Sequence, residues 1–175
     1  KKILKESGYN GELVRILLAS SVNDINHNGL VLEGLMKQAG FNVEVQAADW
    51  PTVAKARWSK KPVSEGGWSL LPITWSGYDM ASPFTNYRIA NNCTDGYAGW
   101  ACVEEITTLI EKFEAESDVE KRKKIAEQIQ VLAIDNVQFM IMGQYSRSSS
   151  HRADLDGLLD VGMPIFWNVK RKGKS

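Results

Sequence analysis

The sequence lacks any uninterrupted apolar stretch of about 18 residues, which excludes a membrane-spanning helix of ordinary length. No charged and then apolar leader precedes the first predicted helix, so we expect no targeting segment in the sequence as given. An excess of charge is also absent, because 21 basic side chains balance 21 acidic ones and the only basic cluster is the tail Lys170 to Lys174. Without a long-range positive field, nucleic acid is not an expected partner.

Residues that mark common catalytic and metal sites are scarce. Only two histidines occur, His27 in a predicted helix and His151 in a polar segment, and no nearby pattern places either of them beside both a nucleophile and an orienting carboxylate. The sequence has no G-x-S-x-G turn, no Gly-rich phosphate loop and no H-E-x-x-H pair. The two cysteines lie in a loop too poor in histidine for a tetrahedral zinc site. We therefore expect no metal and no cofactor, whereas an active site assembled from distant residues stays open at this point.

The sequence does contain enough apolar material for a core. Of its 175 residues, 43% are apolar, and a domain of this size buries roughly 70% of its unfolded surface. We expect one domain over residues 1–175, with 168–175 as a disordered tail.

The first half of the sequence predicts a βαβ unit. A short helix is expected over Lys1 to Ser7, and the nearly continuous apolar run Leu13 to Ala19 is typical of a central, parallel strand covered on both faces. Asp24 to Ala39 carries apolar residues, Leu35 among them, at helical spacing, and Phe41 to Ala47 alternates as a half-buried strand does. The predicted class is α/β, a mixed and mostly parallel sheet flanked by helices.

Capping residues set the expected ends of the helices in this half. Asn23 or Asp24 can cap the first long helix, and Gly40 can end it. Pro51 suits a first helical turn, so a second helix is expected over Thr52 to Lys60.

The second half predicts two further strands and a helical hairpin. A strand is expected over Trp68 to Trp75, at a sheet edge or with a bulge, because Pro72 has no amide donor. Ile106 to Phe113 shows helical spacing, and a second helix opens with Ser117 in capping-box position. A last strand is plausible over Phe139 to Met142.

The stretch Ser76 to Trp100 shows no periodicity and is rich in aromatic residues, Tyr87 and Tyr97 among them. Irregular insertions of this length inside compact domains are uncommon and usually functional. Six tryptophans are present, and most are expected to pack in the core, whereas Trp75 and Trp100 border this stretch and are candidates for a ligand pocket.

The two cysteines flank part of this stretch. A bond between Cys93 and Cys102 would stabilise the fold by roughly 2.7 kcal/mol and would order Tyr97 to Trp100 between them. Two reduced, partly buried thiols in a cytosolic protein are the alternative, and we favour the bridge because the loop needs order.

Asp79 follows Trp75 by four positions at the exit of a predicted strand, where open α/β sheets place ligand contacts. Most loop aspartates cap turns. A carboxylate held beside an aromatic wall can instead pair with an ammonium group of a ligand.

Several segments together resemble a known family. These segments are KKILKESGYNGE, LVRILLASSVNDINHNGLVLEGLMKQAGFNVEVQAADW, TWSGYDMASPFTNY and PIFWNV. In order and spacing they resemble the C-terminal lobe of the family 5 extracellular solute-binding proteins, the peptide- and nickel-type receptors of ABC importers. The similarity extends over nearly the whole chain, which therefore looks like a C-terminal fragment of a longer receptor.

The resemblance implies a lobe of the type II periplasmic-binding-protein fold. It also implies an N-terminal lobe missing from this chain, an ABC permease partner in the inner membrane, and a periplasmic or lipid-anchored location outside the cytoplasm. Peptide or another small solute would be enclosed between the lobes without catalysis. In peptide-binding members an Asp shortly after a strand Trp pairs with the ligand ammonium group, and it commonly comes three positions after the Trp. This sequence has Tyr78 at that position, and Asp79 follows one position later.

The leading hypothesis is thus one lobe of a solute receptor, with Trp75, Tyr78, Asp79 and Trp100 facing the ligand. A second hypothesis is a self-contained α/β hydrolase or transferase that uses Asp79 with a histidine. A third is an interaction module whose exposed tryptophans bind a protein partner.

Overall fold

The computed structural model describes residues 1–86, 89 and 93–173. Within it the chain divides into two compact units, Lys1–Thr74 and Trp75–Ser175. The single domain expected over residues 1–175 stays a prediction.

The first unit contains a parallel pair of strands joined by a long helix. The elements are α1 (Lys2–Glu6), β1 (Leu13–Ala19), α2 (Asn23–Ala39), β2 (Asn42–Ala48) and α3 (Trp50–Ala56). The two strands pair in parallel over their whole length, from Leu13 opposite Asn42 to Ala19 opposite Ala48. The predicted βαβ unit and the α/β class are therefore confirmed.

Strand β1 is hydrogen-bonded on its other edge as well. Ile16 bridges Leu70 in parallel, the Leu17 amide donates to the Leu70 carbonyl at 2.9 Å, and Ser69 donates to the Arg15 carbonyl at 2.8 Å. The predicted central position of β1 is thus confirmed. The strand predicted over Trp68 to Trp75 is wrong, because pairing is confined to one bridge at Leu70.

The core of the first unit lies around β1. Ile16, Leu17 and Leu18 are almost fully buried, and Ile25 and Leu32 of α2 cover them together with Val53 of α3. Burial alternates along β2 as far as Gln46, with Val43 and Val45 only half-buried, whereas Ala47 is exposed. Burying one such aliphatic side chain contributes about 1.5–3 kcal/mol, so this cluster holds the first unit together.

The expectation that Leu35 joins this core is wrong, because its side chain is 56% exposed. The buried face of α2 runs through Ile25, Gly29 and Leu32. At 100° per residue Leu35 lies roughly 80° around the helix from that stripe, outside the contact with β1.

The helix ends follow the predicted caps in part. Gly40 ends α2 with φ of 107°, the left-handed conformation that glycine adopts without a Cβ penalty. The expected cap at Asn23 or Asp24 is wrong, because the N-cap position is Val22 and no side chain bonds there.

Helix α3 has an aspartate cap. The Asp49 carboxylate accepts a hydrogen bond from the Thr52 amide at 3.1 Å. Hydrogen bonds from the side chain and then the backbone of Thr52 hold the pKa of Asp49 below its ordinary value. The helix ends at Ala56 instead of Lys60, because the Trp58 and Ser59 amides bond three residues back and close a turn.

The second unit is built around a helical hairpin. Its elements are α4 (Gly77–Met80), α5 (Glu104–Ala115), α6 (Val119–Asp135), β3 (Leu155–Asp156) and β4 (Lys170–Arg171). Ile106, Leu109 and Phe113 of α5 pack against Ile129 and Ala133 of α6, as the helical spacing predicts. Asp118 caps α6 by accepting from the Lys121 amide at 2.9 Å, so the cap predicted at Ser117 is displaced by one residue.

The C-terminal part contains little regular structure. The strand predicted over Phe139 to Met142 is wrong in this structure, where these residues form neither strand nor helix. Leu155–Asp156 and Lys170–Arg171 instead form a short antiparallel pair. That pair includes part of the predicted tail 168–175, of which Lys174 and Ser175 lie outside the described residues.

Among the helices of the described residues, none combines the length and apolar character needed to cross a bilayer.

Gly67 is required by a close backbone approach in the first unit. The Arg15 guanidinium donates to the carbonyls of Gly67 at 2.9 Å and Val63 at 2.7 Å, and pairs with Glu44 at 3.1 Å. A Cβ on Gly67 would overlap the carbonyl of Lys61, which is backbone and cannot rotate away. This loop therefore has room only for glycine.

We expect Gly67→Ala to lower the free energy of unfolding by about 1–3 kcal/mol, because the loop must shift to accept the methyl group. Gly34→Ala is the matched control, since nothing lies within 4 Å of its Cβ position and the exposed helix interior favours alanine. Urea denaturation followed by circular dichroism measures both. Equal stability of the two variants would contradict the steric requirement.

Candidate functional site

Helix α4 presents Tyr78 and Asp79 on one short turn. Ser76 forms its N-cap, where the hydroxyl accepts from the Tyr78 amide at 3.1 Å and the carbonyl accepts from the Asp79 amide at 3.1 Å. The chain reaches this turn directly from Trp75, so three of the four predicted site residues lie in one five-residue stretch. Local sequence thus positions most of the candidate site.

Asp79 carries the only negative charge on this turn. Its side chain is half-buried, and its carboxylate forms no hydrogen bond or ion pair with any residue that the structure describes. A carboxylate without an internal partner keeps its capacity to accept hydrogen bonds from a cation. Within the part of the chain that the structure describes, no internal ion pair therefore occupies the Asp79 carboxylate.

Tyr78 lies against a distant part of the chain. Its side chain is 60% exposed, yet the ring edge touches the backbone of Gly162 so closely that a Cβ there would overlap Cε2 and Cδ2. Glycine at position 162 thus allows this ring position. Sequence reasoning did not identify Gly162, because no local signal links it to Tyr78.

Trp75 packs against Tyr97. The two ring centroids are 5.9 Å apart and the planes meet at 79°, an edge-to-face arrangement that aromatic pairs favour. Tyr97 was not among the predicted site residues, although its place between the two cysteines was a usable signal. The structure therefore joins Trp75 to the loop that contains Trp100.

A disulfide bond joins Cys93 and Cys102 and closes this loop. The predicted bridge is confirmed, and the alternative of two reduced thiols is wrong for this structure. Inside the loop the Trp100 amide donates to the Tyr97 carbonyl at 2.8 Å, forming a tight turn.

Backbone conformations in this turn are unusual. Gly99 has φ of 112°, and Trp100 has φ of 47°, in the left-handed region that a bulky residue rarely adopts. Such a conformation costs about 1–3 kcal/mol and persists only where surrounding bonds enforce it. The disulfide and the turn together hold Trp100 in this strained position. Tyr87, in the same stretch, lies outside the described residues.

The other tryptophans are not part of this site. The Arg57 guanidinium lies 5.7 Å from the ring of Trp50 and 5.2 Å from that of Trp58, and Trp68 donates to the Arg57 carbonyl at 3.1 Å. These three indoles pack around one arginine in the first unit. Trp167 is 90% exposed, and the interaction-module hypothesis now depends mainly on that residue.

The histidines of the enzyme hypothesis are both exposed. Asp79 and His151 share no hydrogen bond among the described residues, and the same part of the chain contains no group of three His, Cys, Asp or Glu side chains able to hold a metal.

The chain was compared with known proteins. No protein-family model matches it. It is 29% identical over 171 residues to the probable peptide ABC transporter periplasmic-binding protein y4tO of Sinorhizobium fredii, a match that covers 98% of this chain and 32% of that protein.

Two solved structures share its fold. The dipeptide-binding protein of Pseudoalteromonas sp. SM9913, in complex with Met-Leu, matches 98% of this chain and 34% of its own with a TM-score of 0.74 at 18% identity. NikA of Staphylococcus aureus, in complex with Ni(L-His)2, matches 78% of this chain and 29% of its own with a TM-score of 0.62 at 16% identity.

These matches confirm the resemblance to peptide- and nickel-type solute-binding proteins and the predicted fold class. The chain spans about a third of the length of the curated relative it matches.

Chemical labelling and removal of the two cysteines test whether the disulfide is present and how much it stabilises the fold. We expect the native chain to take up no iodoacetamide until it is reduced, and then to take up one adduct on each cysteine, as measured by mass spectrometry. Replacing both cysteines by serine should lower the free energy of unfolding by up to about 2.7 kcal/mol. Labelling of the unreduced, folded chain would contradict the bridge.

Proposed function

We propose that this chain forms one lobe, the C-terminal one, of the substrate-binding component of an ABC importer. The complete protein captures a small solute between two lobes and delivers it to a permease in the inner membrane. The chain contributes part of the binding surface and performs no chemistry. Enclosure excludes water, so hydrogen bonds and charge pairs with the ligand become stronger.

One observation carries this proposal. The similarity to a probable peptide ABC transporter periplasmic-binding protein extends over 98% of the chain. The shared fold of the dipeptide-binding protein along the same extent supports it independently.

Asp79 is the proposed contact for the ligand ammonium group. Its half-buried carboxylate has no cationic partner among the described residues, so a ligand cation would not have to displace an internal ion pair. Partial burial strengthens such a contact relative to bulk water. Asp79 comes one position later than the usual Asp, but it still places on the same turn a half-buried carboxylate that has no cationic partner among the described residues.

Aromatic side chains form the proposed apolar walls. Trp75 and Tyr97 pack edge to face, and Trp100 is fixed by the disulfide loop nearby in sequence. Flat aromatic surfaces contact many different side chains without selecting one. We propose that Trp75, Tyr78 and Trp100 tolerate variation in the ligand while Asp79 fixes its amino end.

The proposed ligand is a short peptide or a peptide-like solute. The bound molecules of the two similar structures, Met-Leu in one and Ni(L-His)2 in the other, are both built from amino acids. A free ammonium group is the feature that Asp79 would recognise in a dipeptide.

The proposed location is the periplasm, or the outer face of a membrane through a lipid anchor. The disulfide supports a compartment outside the reducing cytosol, because such bonds persist mainly in oxidising environments.

Calorimetry on the complete gene product tests the role of Asp79. We expect Met-Leu to bind, and Asp79→Asn to weaken its binding about 10- to 100-fold, because a charge-assisted hydrogen bond contributes about 1.5–3 kcal/mol. N-acetyl-Met-Leu, which lacks the ammonium group, should bind the native protein and the variant equally weakly.

Asp95→Asn is the matched control, since Asp95 is an exposed aspartate outside α4, in the loop that the Cys93–Cys102 disulfide closes. It should leave the affinity for Met-Leu unchanged. The ammonium contact would be refuted if Asp79→Asn preferred the free peptide over the acetylated peptide as strongly as the native protein does. Failure of a broad dipeptide panel to bind would refute the peptide class.

The chain alone should bind its ligand weakly or not at all, because the opposing lobe supplies the remaining contacts. Calorimetry of the 175 residues against the best peptide of that panel measures this. Micromolar affinity of the isolated chain would mean that the site is complete within it, contrary to the two-lobed proposal.

A further inference from the structure

Asparagine precedes glycine at two places in the sequence, Asn10–Gly11 and Asn28–Gly29. In such a pair the glycine amide nitrogen can attack the carbonyl carbon of the asparagine side chain, because glycine has no Cβ to obstruct the approach. The reaction also requires a free amide and enough room for a cyclic imide to form. The structure places the two pairs in opposite surroundings.

Asn10–Gly11 lies in the loop between α1 and β1, and both residues are exposed. The Gly11 amide forms no hydrogen bond with any residue that the structure describes, and neither does the Asn10 side chain. Nothing lies within 4 Å of the Cβ position at Gly11, where φ is 91°. The two atoms that would join therefore have neither a hydrogen-bond partner in this part of the chain nor a close neighbour.

The hydrogen bonds on either side leave these two atoms untouched. The Asn10 amide donates to the Glu12 carboxylate at 2.9 Å, and the Gly11 carbonyl accepts from the Asn42 side chain at 3.0 Å. Neither bond involves the side-chain carbon of Asn10 or the nitrogen of Gly11. Rotation of the Asn10 side chain toward Gly11 therefore breaks neither of them.

Asn28–Gly29 is held inside α2. The Gly29 amide belongs to the hydrogen-bond ladder of the helix, and the residue is buried. A Cβ at Gly29 would overlap the side chain of Leu18, so no space remains beside it for a ring. This pair carries the same chemical groups in a position where the fold blocks the reaction.

We infer that Asn10–Gly11 is a site of spontaneous deamidation. The Gly11 nitrogen forms a bond to the side-chain carbonyl carbon of Asn10, the bond from that carbon to Nδ2 breaks, and ammonia leaves with the proton that the Gly11 amide gives up. Water then opens the resulting succinimide at one of its two carbonyls, which leaves aspartate or isoaspartate at position 10. Water is the only co-reactant, and the inference does not depend on the proposed ligand.

Isoaspartate at position 10 changes how the N-terminal segment is attached to the sheet. The chain then continues through the former side chain, which adds one methylene group to the backbone between residues 10 and 11. Asn42 at the start of β2 bonds on both sides of that point, because its amide donates to the Tyr9 hydroxyl at 2.9 Å and its side chain to the Gly11 carbonyl. A longer backbone between these two anchors displaces one of them. The modification therefore loosens the attachment of α1.

Peptide mapping by mass spectrometry on the complete gene product tests the inference. The protein is incubated at neutral pH, folded and in parallel in urea. In the folded protein we expect Asn10 to deamidate at least about 10-fold faster than Asn28, because the amide of a buried helical residue reacts only when the helix opens. In urea the two rates should be similar, since the fold no longer protects Asn28.

Electron-transfer fragmentation identifies the products. Isoaspartate should accompany aspartate at position 10, a mixture that direct hydrolysis of the side-chain amide does not give. Equal rates at Asn10 and Asn28 in the folded protein, an Asn10 that reacts only in urea, or aspartate as the sole product would each overturn the inference.

Hydrogen exchange tests the effect on the attachment of α1. In aged protein enriched in isoaspartate, we expect the peptides that cover residues 2–11 and 41–43 to exchange at least about 3-fold faster than in fresh protein, because one anchor at Asn42 is lost. Asn10→Asp is the matched control, since it carries the same new charge on a backbone of normal length, and it should exchange as the native protein does. Unchanged exchange in the isoaspartate form would overturn the loosening of α1.

Discussion

The first unit depends on one strand, β1, which is hydrogen-bonded along both edges and buried on its strongly apolar half. Leu13 to Ala19 pairs with β2 on one side, and the bridge at Leu70 closes the other. A strand in this position cannot expose side chains on either face without losing core contacts, so α2 and α3 must cover it. The pairing at Leu70 is short because Pro72 follows and cannot donate to a ladder.

In the second unit, the candidate site is positioned by short-range constraints and not by the two-residue strands β3 and β4. The Ser76 cap forms the turn that carries Asp79, and the disulfide between Cys93 and Cys102 confines the turn that carries Trp100. Both the cap and the disulfide join residues that are close in sequence. The candidate site therefore does not depend on a large core for its position. Binding proteins benefit from this arrangement, since a preformed site loses less conformational entropy when the ligand enters.

The sequence predicted those elements whose apolar pattern extends over the whole element. Strand β1, helix α2 up to Gly40 and the hairpin α5–α6 follow from unbroken apolar periodicity over whole elements. Strands over Trp68 to Trp75 and Phe139 to Met142 had strand-like composition, but strand formation requires a partner, which sequence pattern does not reveal. The short pair β3–β4 was not predicted, because its two strands have a partner but no apolar pattern in the sequence.

By itself, the sequence determined the α/β class, the helical hairpin and the placement of Trp75, Tyr78 and Asp79 on one short stretch, and it favoured the bridge between Cys93 and Cys102. Periodicity, caps and loop closure act over a few residues, and for that reason they can be read from the chain. Only the tertiary structure decided that Tyr97 packs on Trp75, that Gly162 makes room for Tyr78, and that Leu35 faces water. Those outcomes depend on which distant atoms meet, and no local preference specifies that meeting.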